Sequence, residues 1–299
     1  MGVEGYKNGH PGMVRLIPDR LEDPLHWKKP RRVFVNSMSD LFHEDIPFDF
    51  IDQVFAVMAL ADKHTFMVLT KRAARMREYF GPSPELDGIT RDCLVEGTAQ
   101  KIYHRRTGEN PDMWLAVHWP LENVELGVSV ESPKYASERI PALMDTPAAR
   151  RFVSYEPALA ATDFSPWLPL RCCNGTDCGC MGKPINPPPY IDQIIAGGES
   201  GPNARPSKLD WFRKVRDVCT ASGTAFFFKQ IGEWAEVQIE EDESYYGGTA
   251  FDHPLGGRAS GFRAKPFIFE DASKGYFVNI GKKRAGRLLD GREWNEFPK

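Results

Sequence analysis

No stretch of the 299-residue chain is apolar for the roughly 18 residues that a bilayer-spanning helix requires. The opening MGVEGYKNGHPGMVR also lacks the apolar core of a secretory signal. Both absences point away from a membrane partner, and the expected compartment is the cytoplasm. Positive charge is in short supply: 38 Lys and Arg stand against 41 Asp and Glu, a formal net charge of -3. Such a balance argues against a nucleic-acid binder that relies on a whole-surface positive field, while leaving room for a local basic groove. Phosphate-loop signatures are missing too. The run Gly197-Gly198-Glu199-Ser200-Gly201 has neither a GK[ST] ending nor full G-x-G-x-x-G spacing, so ATP or NAD binding is not supported. The chain holds no internal repeat and no low-complexity tract, and no cysteine precedes Cys93.

What is present reads as a folded α/β protein. Apolar residues at 41% and charged residues at 26% are ordinary for a globular core, and the length suits one large α/β domain or two smaller ones. Six β-branched or aromatic runs end abruptly in polar residues: 31–40, 65–72, 124–132, 150–157, 191–200 and 224–234. Near-continuous apolar character implies burial on both faces, as in parallel strands. Helical patterns lie between several of these runs, at 48–64, 71–80, 133–147 and 207–223. The first places Phe50, Val54, Val57, Met58 and Ala61 on one face; the third is interrupted by Pro141; the fourth opens with a Ser cap and closes near Gly223. This alternation predicts right-handed βαβ units, in a partial TIM-like (β/α) barrel or, alternatively, an open doubly wound sheet. Residues 1–30 read as a lead-in, 31–234 as the barrel core with loop-rich insertions at 81–123 and 158–190, and 235–299 as a C-terminal appendage packed on it.

Ligands of parallel α/β barrels bind where the βα loops converge, at the carboxyl ends of the strands. The six runs end in Asn36, Ser37, Ser39 and Asp40; in Lys71 and Arg72 after Thr70; in Ser129, Glu131 and Ser132; in Tyr155 and Glu156; in Gly197, Gly198, Glu199 and Ser200; and in Lys229 and Gln230. Together they predict a rim of donors and carboxylates around one mouth. Opposite charges on a partly desolvated rim indicate either a charged ligand or an internal network of ion pairs without one.

The segments RRVFVNSMSDLFHEDIP, HTFMVLTKR, LGVSVES, RFVSYEPAL, IIAGGESGPNARP and FFFKQIGEW occur in this order, followed by the tail GKKRAGRLLDGREWNEFP. From about Leu16 to the C-terminus this set resembles a phage and prophage family with a radical S-adenosylmethionine (SAM) core. The resemblance implies SAM and a [4Fe–4S] cluster as cofactors, an electron donor such as flavodoxin, and hydrogen-atom abstraction on a phage- or nucleic-acid-related substrate. The end of the second strand, Asn36 to Asp40, would meet the SAM amino group. Lys71 or Arg72 would pair with its carboxylate, Ser129 and Glu131 with the ribose hydroxyls, and Glu156 and Gly197–Ser200 with adenine or substrate. VNSMSD departs from the Gly-Gly-Glu of many radical SAM enzymes. The family's three closely spaced cysteines, ending in Cys-Tyr-Ala, precede the matched part and are missing here, so Met1 reads as an internal start or a trimmed beginning. That leaves two further functions open, a non-catalytic SAM- or nucleotide-binding barrel and a metal-dependent nucleic-acid hydrolase, and no catalytic residue is assigned.

Cys172, Cys173, Cys178 and Cys180 crowd into nine residues. Cys173, Cys178 and Cys180 are candidate ligands for zinc or an auxiliary cluster, with a loop of free or oxidised thiols as the alternative. His43, His64, His104 and His118 share no metal spacing and read as structural, and the basic stretch KIYHRRTG at 101–108 reads as a solvated loop.

Overall fold

Each of the six apolar runs forms a strand. Most of these strands are hidden on both faces of a sheet, whereas the first, Arg32–Val35 at the sheet edge, buries only Val35 fully and leaves Phe34 exposed. In the computed structural model, residues 2–4, 14–82, 89–110, 117–170, 188–237, 251–252, 258–259, 265–270 and 272–298 are described. The chain divides into two compact units, Met1–Val128 with Arg139–Phe152, and Ser129–Glu138 with Val153–Lys299.

The first unit begins with a short antiparallel pair, β1 (Gly2–Glu4) and β2 (Arg15–Ile17), and a single helical turn, α1 (Asp23–His26). Then follow β3 (Arg32–Val35), α2 (Phe48–Leu60), β4 (Thr65–Thr70), α3 (Ala73–Phe80), α4 (Arg91–Thr107) and β5 (Val124–Ser129). α5 (Pro133–Met144) and β6 (Arg150–Tyr155) carry the chain across the boundary between the units. β3 pairs in parallel with β4, and β4 with β5. Every residue of β5 is buried, including Glu125, whose carboxylate meets Arg32 Nη1 at 2.7 Å.

α2 buries the predicted stripe and more, since Ile51, Phe55 and Ala56 are also hidden, and it ends at Leu60 rather than at residue 64. The turn after it places His64 in the core. Arg31 N–H donates to its Nδ1 at 3.2 Å, so the proton sits on Nε2, which donates to the Pro24 carbonyl at 3.1 Å. His64 is therefore a structural clamp. The expected loop-rich insertion 81–123 instead contains the 17-residue α4, which packs on α2. Its apolar stripe is narrow, with Arg91, Val95, Ala99 and Ile102 the buried positions, so its periodicity is weak in the sequence. It is fastened by a buried triad in which Tyr79 O–H and Arg91 Nη1 donate to the Asp52 carboxylate at 2.8 and 3.1 Å.

The second unit contains β7 (Gln193–Gly197), α6 (Leu209–Ser222), β8 (Ala225–Gln230), β9 (Trp234–Val237), β10 (Phe251–Asp252), β11 (Arg258–Ala259), β12 (Lys265–Ile268), β13 (Lys274–Asn279) and α7 (Lys282–Ala285). β7 and β8 are parallel, with a register shift between Ala196 and Gly197. α6 lays Trp211, Phe212, Val215 and Cys219 inward and stops at Gly223, whose φ of 76° suits glycine. Ser207 is not its cap: Lys208 holds that position, and the Ser207 hydroxyl donates to the Ala158 carbonyl at 2.6 Å. β12, β13 and β9 form a small antiparallel sheet. The tail covers the outer edge of β8, where Phe228 N–H donates to Trp294 O and Glu296 N–H to Phe226 O. Covering an edge in this way removes a template for unwanted strand pairing.

The six long strands form one parallel sheet in the order β3-β4-β5-β6-β7-β8, flanked by helices, in a mixed α/β fold. The order follows the sequence without reversal, and a doubly wound sheet requires a reversal. The doubly wound alternative is thereby set aside.

Burial raises the Asp52 carboxyl above its ordinary value of 3.8, against the opposing pull of Tyr79 and Arg91. Between 3.8 and that raised value the folded protein holds a proton the unfolded chain has lost. Asp52 therefore contributes stability at low pH that is lost as pH rises through this window. Asp52→Asn should remove that leg, so the difference in urea-unfolding free energy between wild type and variant should change across the window and be flat above it. A difference independent of pH would overturn the assignment.

Candidate functional site

In the first unit the site is the pair of loops that leave β3 and β4. Asn36 turns the chain out of β3 with a φ of 55°, a left-handed conformation that Asn tolerates better than most residues. Four residues on, the Asp40 carboxylate gathers four donors. Its Oδ1 accepts from the Thr70 hydroxyl at 2.7 Å and Phe42 N–H at 3.0 Å; its Oδ2 accepts from Lys71 N–H and Arg72 Nη1, each at 3.1 Å. The Thr70 oxygen in turn accepts from Arg72 N–H at 2.8 Å, and Arg72 Nε lies 3.7 Å from Glu44. Asp40 is thus the clasp that fastens the β3 loop to the end of β4, and its acceptor capacity is filled from within the protein.

Asn36 is the opposite case. Its Nδ2 and Oδ1 are both buried and have no hydrogen-bond partner among the described residues. An unmade hydrogen bond of this kind costs about 1–3 kcal/mol per group, so a donor and an acceptor held side by side in this state favour a ligand that offers both.

In the second unit, Ser129, Glu131 and Ser132 are buried at the end of β5. The backbone there is fixed by Val130 N–H to Ser154 O and Leu159 N–H to Glu131 O. At the end of β6, Glu156 Oε2 meets Lys229 Nζ at 2.9 Å, and its Oε1 accepts from Gln230 Nε2 at 3.3 Å. The same amide reaches Gly198 O at 3.1 Å, so three strand ends are linked through Gln230. Glu199 is held by Arg205, which donates through Nε and Nη2 at 2.8 and 2.9 Å and through its backbone N–H at 2.8 Å. This hydrogen bonding to Glu199, against some desolvation, raises the already high pKa of Arg205 further.

The glycines after β7 have a packing role. A Cβ on Gly198 would lie 1.8 Å from Ile231 O, and one on Gly197 would touch the Glu156 carboxyl at 3.4 Å. The loops after β7 and β8 therefore approach backbone to backbone, with Gly198 N–H donating to Gln230 O at 3.0 Å. A residue the sequence reading passed over, Glu233, ties these loops to the tail. Its carboxylate accepts from Gly201 N–H and Lys282 N–H, each at 3.0 Å. Its position directly after Gly232 was the available sequence signal for a turn, and the structure gives that glycine a φ of 105°.

The candidate rim residues thus fall in two groups, each described within its own unit: Asn36, Ser37, Ser39, Asp40, Lys71 and Arg72 in the first; Ser129, Glu131, Glu156, Gly197, Gly198, Glu199 and Ser200 in the second. Cys173, Cys178 and Cys180, with Cys172, lie outside the described residues. Among the described residues no three His, Cys, Asp or Glu side chains are grouped as metal ligands. Cys93 is exposed, and Cys219 is buried in α6, where desolvation pushes its thiol well above the ordinary range.

A protein-family model described as "Protein of unknown function (DUF5131)" matches residues 2–298. No curated protein and no solved structure matches the chain.

Gly198→Ala should cost about 2–3 kcal/mol, because the obstacle is a backbone carbonyl that no rotamer change relieves. Gly97→Ala, inside α4 with nothing within 4 Å of the added carbon, should instead stabilise by roughly 0.5–1 kcal/mol. Urea unfolding of both variants checks the contrast; equal stability for Gly198→Ala and wild type would rule out the close approach.

Proposed function

We propose that this chain, which belongs to the DUF5131 family, is a SAM-binding α/β protein of the radical SAM type, built on a partial (β/α) barrel. The observation that carries the reading is Asn36. A carboxamide with both ends buried and unpartnered, at the carboxyl end of a parallel strand, suits the methionyl group of SAM, which presents an ammonium donor and a carboxylate acceptor on one carbon. Lys71, at the end of the adjoining β4, supplies a cation for that carboxylate. Arg72, which pairs with Asp40 and lies 3.7 Å from Glu44, is the second candidate cation. The ribose and adenine assignments of Ser129, Glu131, Glu156 and Gly197–Ser200 follow from the resemblance alone and are open to test one residue at a time.

Hydrogen-atom abstraction is the reaction this reading implies, and it requires a [4Fe–4S] cluster. The described cysteines do not fit that group: they are Cys93 and Cys219, one exposed and one buried with its thiol held protonated. No step is derived through the cluster, and the reading commits to SAM recognition. The filled acceptors of Asp40 and Glu199 favour a second reading in which much of the rim is structural and SAM or a nucleotide is bound without being cleaved.

Calorimetric titration with SAM tests the proposal. Asn36→Gly removes the carboxamide and relaxes the positive φ, so unliganded stability should stay level or rise while SAM affinity falls about tenfold, the equivalent of one hydrogen bond to a charged group. Lys71→Ala should weaken binding similarly. No SAM binding by the wild-type chain, or undiminished binding by both variants, would sink the reading. SAM cleavage after anaerobic reconstitution with iron and sulfide separates the enzyme from the binder.

A further inference from the structure

We infer that the C-terminal turn Lys282-Lys283-Arg284 is a docking site for the phosphodiester chain of a nucleic acid at the ligand end of β8. The inference deepens the proposed function by naming its substrate class, and it rests on the reading of the strand ends as a ligand mouth.

The turn is held firmly. Gly281 N–H donates to Glu233 O at 3.1 Å, Lys282 N–H donates to the Glu233 carboxylate at 3.0 Å, and Ile231 N–H donates to Gly286 O at 3.2 Å. Ala285, in the middle of this frame, is fully buried. A cation carried on a fixed backbone loses less freedom when it meets a phosphate, so this anchoring favours binding by Lys282 and Lys283.

Nearby carboxylates do not quench the turn by pairing with its lysines. Glu233 uses both oxygens on backbone N–H groups, Glu199 is held by Arg205, and Glu156 is held by Lys229 and Gln230. Lys282 and Lys283 are exposed and form no ion pair among the described residues. Lys229 in β8 and Arg205 in the loop after β7 have side chains about half exposed, at 53% and 51%, and are paired with Glu156 and Glu199. Adjacent ammonium groups suit repeated phosphates, which accept point charges without strict geometry. For a chain with a net charge of -3, any binding of nucleic acid must be local, and this turn supplies a local site.

The test is fluorescence anisotropy on the full chain with labelled 20-nucleotide DNA and RNA, single-stranded and duplex, at low and rising salt. The double variant Lys282→Glu/Lys283→Glu is expected to lose tenfold or more in affinity, with the salt slope reduced by roughly 0.7–0.9 for each phosphate contact removed. Lys28→Glu/Lys29→Glu, an equal charge change on exposed lysines of the other unit, is the control and should change affinity far less. Circular dichroism confirms that both variants fold. Failure of the wild type to bind any of the four probes at low salt, or equal losses in both double variants, overturns the inference. Because SAM titration is a separate measurement, loss of this site and loss of the SAM reading can be told apart.

Discussion

A strand covered on both faces can carry polar chemistry only where it leaves the sheet, and much of this structure follows from that constraint. β5 has no exposed residue, so its one carboxylate within the sheet, Glu125, must be met by a guanidinium reaching from β3. Beyond the last buried position, each chain end must satisfy its own backbone and side chains in a partly desolvated setting. The protein does so by fastening one loop to the next: Asp40 joins the β3 loop to β4, and Gln230 joins the ends of β6, β7 and β8. The polar residues at the strand ends are thus first a solution to burial, and the ones with a claim to ligand chemistry are those the solution leaves out.

That distinction separates residues that look alike in the sequence. Asp40 and Asn36 both follow β3, and both are polar side chains suited to a rim. The carboxylate has four donors and is complete, while the carboxamide has none among the described residues. Glu199 resembles Asp40 in this respect, because Arg205 supplies a two-pronged guanidinium and an N–H from the same residue. Glu156 is intermediate: its lysine partner is half exposed, and an ion pair so placed contributes little to stability, so a ligand can displace it at modest cost.

The strands of the parallel sheet were legible because periodicity and abrupt polar endings are local signals, and each of the six runs contains one of them; the short antiparallel strands β1, β2 and β9–β13 lack such runs and were not read. The helix α4 was not, because its buried stripe begins with an arginine and is diluted by Gly97 and Thr98. What holds it is Asp52, thirty-nine residues earlier, and a partnership at that distance leaves no trace in a single sequence. Ser207 shows the same limit at short range: a Ser at a helix start reads as a cap, yet its hydroxyl serves the Ala158 carbonyl instead. At the site, residue types at strand ends could be read, but not which of them were already paired. The glycine run is the clearest example, since close approach to a ligand and close approach to Ile231 demand the same residue.

Glu233 shows how such pairing decides what a surface can do. A glutamate beside a Lys-Lys-Arg turn would ordinarily offset its charge through direct ion pairs. Here its two oxygens are turned onto the N–H groups of Gly201 and Lys282, so it fixes the backbone of the turn while leaving the lysine ammonium groups to solvent. The acidic residue and the basic turn therefore cooperate: one sets position, the other presents charge. The carboxylate keeps its negative charge beside the turn, but because it binds main chain it forms no ion pair with Lys282 or Lys283 and leaves both ammonium groups to solvent.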